Sequence, residues 1–173
     1  MPGPANRARY ENGGQGDTVF EEFYDRYASD IYTYCLNMTR SEDLAEECLQ
    51  QVFITMYKNP HFFTRARHLK SYLFKVVRNK TLQILSELKM SRALPENLEQ
   101  LPSTSSAEIT PDMERAQQAL QELTQNQREV ILLHLFENMN FREIAQITGE
   151  SPNTLTYRYQ SGIKKMKEKL GVS

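Results

Sequence analysis

The chain has 173 residues, of which 39% are hydrophobic, and its formal net charge is −1. This length suits one medium domain or two small ones, and no apolar run approaches the roughly 18 residues that a membrane span needs. Residues 1–16 lack the apolar stretch of a signal peptide. They are predicted to be a disordered leader in a cytoplasmic protein without membrane insertion.

The net charge hides two opposite blocks. From Asp17 to Tyr57 there are nine acidic and two basic residues, a charge of −7, and from Lys58 to Arg92 there are nine basic residues and one acidic residue, a charge of +8. One charged block alone is commonly just a solvated face. Two large adjacent blocks of opposite sign indicate surfaces for two different partners.

Two helices are predicted in the acidic block. Thr18 and Glu21 have the spacing of a capping box at the start of the first helix. Ser41 is the expected N-cap of the second helix, which Asn59 and Pro60 end. Apolar residues recur along both helices at three- and four-residue steps, the period of one helix face: Phe20, Phe23, Tyr24, Tyr27, Ile31, Tyr34, Cys35 and Met38, then Ala45, Cys48, Leu49, Val52, Phe53 and Met56.

The two cysteines lie on these apolar stripes. Cys35 and Cys48 are therefore predicted to be buried thiols rather than a disulfide or a metal pair. The three histidines show no metal-ligand spacing. Neither a metal nor another cofactor is predicted.

Aromatic and cationic residues alternate through residues 61–80 of the basic block, the start of a third predicted helix. Aromatic rings stack on unpaired bases while Lys and Arg follow the phosphates, so this pattern is typical of single-stranded nucleic-acid binding. The candidate stacking residues are Phe62, Phe63 and Tyr72, and the candidate phosphate contacts are Arg65, Arg67, Lys70, Lys75, Arg78 and Lys80. Phe74 is interpreted as a core residue, and for Tyr72 both interpretations stay open.

Residues 93–110 differ sharply, with two prolines, a Ser/Thr run and acids without a base. They are predicted to be an acidic linker. Helix is expected to resume at Thr110 and Pro111, and a capping box is expected at Thr124 and Gln127. The predicted fold class is all-α, with two small helical domains, residues 17–92 and 111–173, joined by a flexible linker.

The last two predicted helices have helix-turn-helix spacing. Ala145 supplies a small residue for a close helix crossing and Gly149 supplies the turn, while Ser151 and Pro152 begin the recognition helix. Its inward stripe is Leu155, Tyr159, Ile163, Met166 and Leu170, which leaves Asn153, Thr154, Thr156, Tyr157, Arg158, Gln160, Ser161, Lys164 and Lys165 to point outward. An ordinary helical hairpin with a polar outer face stays open as the alternative.

These segments together resemble the extracytoplasmic-function sigma factors of bacteria, the RNA polymerase subunits that select promoters. The resemblance runs from about Thr18 to Leu170. DLAEECLQQVFITMYK is similar to the polymerase-docking helix of that family, LKSYLFKVVRNKTLQIL to the promoter-melting helix, and the stretch from Leu123 to Leu170 to the domain that binds the −35 element. Tyr57 and Tyr72 stand where tryptophans are common in the family.

The resemblance implies a role for each surface. Core RNA polymerase would be bound by Asp43, Glu46, Glu47, Gln50 and Phe53. The single-stranded −10 element of promoter DNA would be held by Phe62, Phe63, Arg65, Arg67, Lys70, Tyr72, Lys75, Arg78 and Asn79. The −35 duplex would be read by Asn153, Thr154, Thr156, Tyr157, Arg158, Ser161, Lys164 and Lys165. An anti-sigma factor is the further partner implied.

Two other classes of protein are alternatives on the residues alone. A helix-turn-helix regulator with an N-terminal dimerisation or sensing domain explains residues 140–170 but leaves the basic aromatic segment without a role. A nucleotide hydrolase could use the acids Glu42, Asp43, Glu46 and Glu47, yet no basic phosphate clamp lies on their helix. A non-enzymatic sigma factor is the function that the sequence predicts.

Overall fold

A computed structural model describes residues 15–59, 69–92 and 110–172 of the chain. The regular elements in these ranges are helices, as the all-α prediction requires. They are α1 Gln15–Thr39, α2 Glu42–Tyr57, α3 Leu69–Arg92, α4 Pro111–Gln121, α5 Gln125–Ile131 with a π-helical continuation over Leu132–Phe136, α6 Phe141–Thr148 and α7 Pro152–Leu170. We call α1–α3 the N-terminal module and α4–α7 the C-terminal module. Most of the predicted linker lies outside the described residues.

Helices α1 and α2 form a hairpin across a two-residue turn. Arg40 takes a left-handed conformation, with φ of 60°, and the Ser41 hydroxyl accepts a hydrogen bond from the Leu44 N–H at 3.4 Å, as the predicted N-cap should. Thr18 was expected to cap α1, but this prediction is wrong. The helix already begins at Gln15, because each added residue contributes a backbone hydrogen bond once a helix has formed.

The core of the N-terminal module lies between the three helices. Its fully buried side chains include Ile31, Tyr34, Val52 and Met56 from the two predicted apolar stripes, together with Leu73, Phe74 and Val77 of α3. Phe74 is confirmed as a core residue, and its ring packs edge-on against Tyr34 with centroids 5.9 Å apart. Packing of this kind between helices contributes far more to the stability of the module than the helix propensity of its residues does.

The C-terminal module begins each helix at a side-chain cap. Thr110 and Ser151 accept the expected hydrogen bonds from the first turns of α4 and α7, and the predicted capping box of Thr124 and Gln127 is present at α5. A second capping box, Asn140 with Glu143, begins α6. After Ile131 the helix widens into the π-helical segment, which leaves Leu135 and Phe136 more than half exposed although both belong to the apolar block around Val130–Leu133.

The two modules pack directly on each other. Helix α3 lies against α6, and α1 lies against α5. The buried apolar residues of both modules form one continuous cluster. This contact brings charged residues of the C-terminal module onto the face of α3 that the sequence assigns to DNA.

Candidate nucleic-acid and partner interfaces

The predicted docking helix presents an acidic stripe to solvent. Asp43, Glu46, Glu47 and Gln50 are all exposed on α2, and Glu47 accepts a hydrogen bond from the Gln51 amide at 2.9 Å. The stripe stands opposite the buried face of the same helix, which is what an amphipathic docking helix needs.

Phe53 does not belong to this exposed stripe. Its side chain is only 6% exposed, and its ring packs against Phe20, Phe23 and Tyr24 with centroid distances of 5.9, 5.8 and 4.5 Å. Its contact with the polymerase stays a prediction, while in this structure the ring is part of the core. Its apolar spacing on α2, which also placed it in the core, was the better signal.

Two apolar side chains extend the acidic stripe. Ile54 and Tyr57 are 52% and 53% exposed and follow Gln50 by four and seven residues on the same helix face. The Tyr57 ring also contacts Phe20, with centroids 5.2 Å apart. Apolar residues beside charged ones are typical of a partner surface. Ile54 and Tyr57 were not predicted to belong to this surface, although their spacing from Gln50 was readable from the sequence.

The predicted −10 surface is only partly visible. Phe62, Phe63, Arg65 and Arg67 lie outside the described residues. The remaining five candidates all lie on α3 but divide between two faces of it. Tyr72, Lys75 and Asn79, spaced by three and four residues, are exposed on one face. Lys70 and Arg78 lie on the face that meets the C-terminal module.

Arg78 and Lys70 each contact a glutamate of the C-terminal module. Arg78 Nε lies 2.7 Å from Glu129 Oε1, and Tyr34 donates its hydroxyl to the same oxygen at 2.9 Å. Lys70 Nζ donates to the Glu137 backbone oxygen at 2.6 Å and lies 3.1 Å from Oε2 of the same residue. The side chains of both glutamates are only 4% exposed.

Burial raises pKa values on both sides of this contact. The pKa of Tyr34 lies well above its usual value, first because of burial and second because of Glu129. The pKa of Glu137 is raised by burial, which outweighs the opposing effect of Lys70. The low dielectric between the modules therefore makes each of these charges costly unless it is paired.

Arg128 provides a second connection between the modules. Its guanidinium donates to the carbonyl oxygens of Leu120 and Leu123 within its own module, at 3.0 and 2.9 Å, and to Asn37 of α1 at 3.3 Å. Burial and then the charge of Arg40 lower the pKa of Arg128 to about 10, so it stays charged at neutral pH. Arg40 reaches the carbonyl of Gln121 in the other module.

The helix-turn-helix is formed by α6 and α7. Gly149 takes φ of 77° and donates its N–H to the Ala145 oxygen at 2.9 Å, closing α6 in the left-handed conformation that glycine favours. Leu155 on the predicted inward stripe is fully buried. His134, Phe141 and Tyr159 form an aromatic cluster, with the His134 and Phe141 rings stacked at 4.5 Å. His134 therefore packs the module together.

The predicted reading face of α7 is largely free of the body of the protein. Asn153, Thr154 and Tyr157 are exposed, Tyr157 by 72%. Thr156 donates its hydroxyl to the Pro152 oxygen. Arg158 is one-quarter exposed, and its guanidinium is paired with Glu150 in the turn before the helix.

The second half of α7 divides between solvent and packing. Lys164 and Lys165 are both exposed. Lys164 Nζ lies 4.0 Å from Glu168 Oε1, and Lys165 donates to Gln127 Oε1 on α5 at 3.3 Å. Ser161 was predicted to point outward, and this is wrong. Its hydroxyl accepts a hydrogen bond from the Gln127 amide at 2.7 Å, because Gly162 lets α7 lie unusually close to α5.

The cysteines are buried thiols, as predicted, and they touch. Cys35 donates to the Cys48 sulfur at 3.0 Å, and Thr81 of α3 lies 3.2 Å from that sulfur. The hydrogen bond between the two thiols lowers the pKa of Cys48 and raises that of Cys35.

Among the described residues no cluster of three or more metal-ligating side chains is found, and no helix there has the length and hydropathy to cross a bilayer.

Known proteins share both modules. Residues 23–89 match the family Sigma-70 region 2, and residues 113–166 match Sigma-70, region 4. The ECF RNA polymerase sigma factor SigM of Bacillus subtilis is 30% identical over 137 residues, 77% of this chain and 83% of that protein. The RNA polymerase sigma factor CarQ of Myxococcus xanthus is 26% identical over 166 residues, 94% of each chain.

The fold is also known from solved structures. The sigma factor RpoE in complex with the anti-sigma factor NepR from Bartonella quintana has a TM-score of 0.75 to this chain at 20% identity, covering 89% of this chain and 98% of that one. The two matched regions together span more than half of the chain. Region 2 contains the predicted docking and melting helices, and region 4, which follows it, contains the predicted helix-turn-helix. The chain therefore belongs to the extracytoplasmic-function (ECF) sigma factors of RNA polymerase.

Proposed function

We propose that this alternative sigma factor directs transcription initiation through three separate surfaces. The acidic stripe of α2 (Asp43, Glu46, Glu47 and Gln50) binds core RNA polymerase, with Ile54 and Tyr57 extending it. Residues 17–92 form the module that docks and melts, residues 93–110 form the acidic linker, and residues 111–173 form the module that reads the −35 element. The assignment of docking and DNA binding to different surfaces is supported by the acidic stripe and the cations, which lie on separate helices, α2 and α3.

Promoter melting depends on binding the open DNA strand more tightly than the closed duplex. Opening duplex DNA costs on the order of 1–2 kcal/mol per base-pair step in lost stacking. Aromatic side chains return roughly 1–3 kcal/mol for each base they stack, and cations such as Lys75 add salt-dependent binding to phosphates. A surface that binds only the open strand therefore shifts the equilibrium toward melting. Tyr72, Lys75 and Asn79 form the part of this surface exposed on α3.

Duplex reading belongs to α7. Its N-terminal residues Asn153, Thr154 and Tyr157 are exposed at the end that a recognition helix inserts into the major groove. Lys164 lies about two turns later, where a helix leaving the groove meets phosphates. No step requires a nucleophile or an acid–base pair from this chain, so catalysis of RNA synthesis is assigned to the polymerase.

The cellular setting follows from the same role. A factor that binds polymerase and promoter acts in the cytoplasm, and it needs no cofactor for binding. An anti-sigma factor is a further partner, since the similar RpoE structure is a complex with one. The surfaces such a partner would cover are the α2 stripe and the α7 reading face.

The docking assignment is tested by reversing charge on α2. Glu46→Lys with Glu47→Lys should abolish co-purification with core polymerase while the helical circular-dichroism signal is unchanged. The matched control is Glu21→Lys with Glu22→Lys, an equal reversal on the exposed face of α1. Undiminished binding of the α2 variant, or equal loss in the control, would remove the docking assignment.

A further inference from the structure

We propose that a groove between the modules, near the turn from α1 to α2, binds a small phosphate monoester with an apolar body. The groove has a volume of about 300 Å³, at the lower end of the range for small-molecule sites. Three cations line it, Arg40, Lys89 and Arg128, together with apolar side chains that include Leu85 and Leu88. None of these residues belongs to the surfaces proposed for polymerase or promoter DNA.

The two arginines of the groove lie close together although their charges repel. Both guanidiniums donate to one atom, the backbone oxygen of Gln121. Burial and then the charge of Arg40 lower the pKa of Arg128. Within the part of the chain that the structure describes, neither arginine forms an ion pair with a carboxylate, and neither does Lys89. An anion in the groove would therefore neutralise charge that the described residues leave uncompensated.

Arg128 is the buried member of this pair. It is 3% exposed, and its guanidinium donates to four backbone oxygens. These acceptors satisfy its N–H groups but, because they are neutral, they do not cancel its charge. A buried charge without a counter-ion is costly, so Arg128 favours an anion beside it.

Arg40 reaches the groove from a backbone position that glycine would occupy at lower cost. Its φ is 60°, in the left-handed region where residues with a Cβ atom are uncommon. The side chain is exposed, and its one hydrogen-bond acceptor among the described residues is the Gln121 oxygen. A guanidinium carries several further N–H groups, which are available to a ligand.

The lining of the groove selects the chemistry of the ligand. Guanidinium groups match the oxygens of phosphate, and a dianionic monoester carries enough charge to be shared by two arginines. Met38 and Leu123 are buried and Leu85 and Leu88 are half-buried, so the rest of the ligand should be apolar. A free ester and the headgroup of a lipid share this chemistry.

Equilibrium dialysis of the full chain with radiolabelled hexyl phosphate tests the site. Hexyl phosphate should bind at least about tenfold more tightly than inorganic phosphate, because burial of its chain adds to the affinity. Unlabelled inorganic phosphate and hexanol, added as competitors, measure the contributions of the phosphate and of the chain. The proposal is overturned if hexyl phosphate fails to bind, or if hexanol displaces it as well as unlabelled hexyl phosphate does.

Substitutions at Arg40 separate the groove from a general effect of charge. Arg40→Gly removes the guanidinium and suits the left-handed backbone, so this variant should keep the circular-dichroism signal and the melting temperature of the wild type. It should bind hexyl phosphate at least about tenfold more weakly, and Arg40→Lys should recover part of the affinity. Arg26→Ala removes a cation from an exposed position of α1 outside the groove and should bind as the wild type does. Equal weakening in Arg26→Ala and Arg40→Gly would contradict a specific site.

Two further measurements identify the occupant. We expect no sedimentation with phosphatidylcholine vesicles that contain phosphatidic acid, which assigns the phosphate to a free ester. Sedimentation that Arg40→Gly abolishes would keep the site and assign the phosphate to a lipid headgroup. The acidic residues 93–110 are the rival occupant. If Glu96→Gln with Glu99→Gln binds hexyl phosphate and the wild type does not, the groove belongs to the chain itself and the proposal is wrong.

Discussion

The absence of one side chain sets how closely the recognition helix packs. A Cβ atom added at Gly162 would lie 2.8 Å from Ile131 Cδ1 and 3.4 Å from Gln127 Cβ. This close approach lets Gln127 donate to Ser161 and accept from Lys165. The orientation of α7, and so of every side chain that is proposed to read bases, depends on this contact.

Gly162→Val should therefore destabilise the protein. The added carbons overpack the contact with Ile131, which is 1% exposed, and overpacking typically costs about 1–3 kcal/mol. We expect urea unfolding followed by circular dichroism to show a loss of about 2 kcal/mol. Gln160→Val, at an exposed position of the same helix, should change stability by no more than about 0.5 kcal/mol. Equal effects would mean that Gly162 is not a packing residue.

Glu137 should make stability depend on pH in a defined direction. Because burial raises its pKa in the folded state, the folded protein binds this proton more tightly than the unfolded chain, whose Glu pKa is about 4.3. Its contribution to stability is therefore present at low pH and is lost as pH rises through the folded-state pKa. Measured between about pH 4 and 7, the stability of the wild type relative to Glu137→Gln should fall. A rising difference would contradict the assignment.

At the scale of the helix, α7 is fixed at both ends. Ser151 accepts from Thr154 at its start, and Gly171, with φ of 69°, ends it in a left-handed conformation. Within the helix, Arg158 is held by Glu150 whereas Lys164 is exposed. The two cations therefore differ in how rigidly the protein positions them.

Arg158 and Lys164 should fail differently when each is replaced by alanine. Loss of Arg158 should relax base preference at one or two positions of the −35 element, by roughly 1–3 kcal/mol for a bidentate contact. Loss of Lys164 should weaken all promoters alike and lower the salt slope by about one unit. Selection from promoter variants at two salt concentrations measures both effects. If only Lys164→Ala changes the selected sequence, the predicted orientation of α7 is wrong.

Helix ends were predictable because capping is local. Ser41, Thr110, Thr124 and Ser151 all cap as expected, since each bond joins residues within three positions. Thr18 has the same signal, but the helix extends past it. The Arg78–Glu129 contact spans 51 residues, and no periodicity brings such a pair together. Phe53 was harder to assign. The family resemblance implied that it contacts the polymerase, whereas its place in the apolar stripe of α2 predicted that it is buried.

At the scale of the whole molecule, the modules form one packed body. Tyr34 and Phe74 in one module and Val130 and Ile144 in the other belong to a single buried cluster, although the two regions match separate families. The interface combines this apolar area with the pair Arg78–Glu129. Separating the modules would expose both to water.

Limited proteolysis should reveal both the boundary and this packing. The polar, proline-containing residues 93–110 should be cut first, leaving fragments 17–92 and 111–173. Because the modules pack together, the two fragments should remain associated in gel filtration at low salt and separate more readily for Glu129→Lys. Initial cleavage inside residues 17–90 would contradict the boundary, and immediate separation of wild-type fragments would contradict the packing.

The contact between Arg78 and Glu129 joins two modules of one chain, so its strength does not depend on the protein concentration. The carboxylate stays near the guanidinium at an effective concentration that is set by the covalent connection between the modules. Dilution therefore cannot remove the contact. Any separation of the two modules is a property of the single molecule and should be equally frequent in dilute and in concentrated solutions.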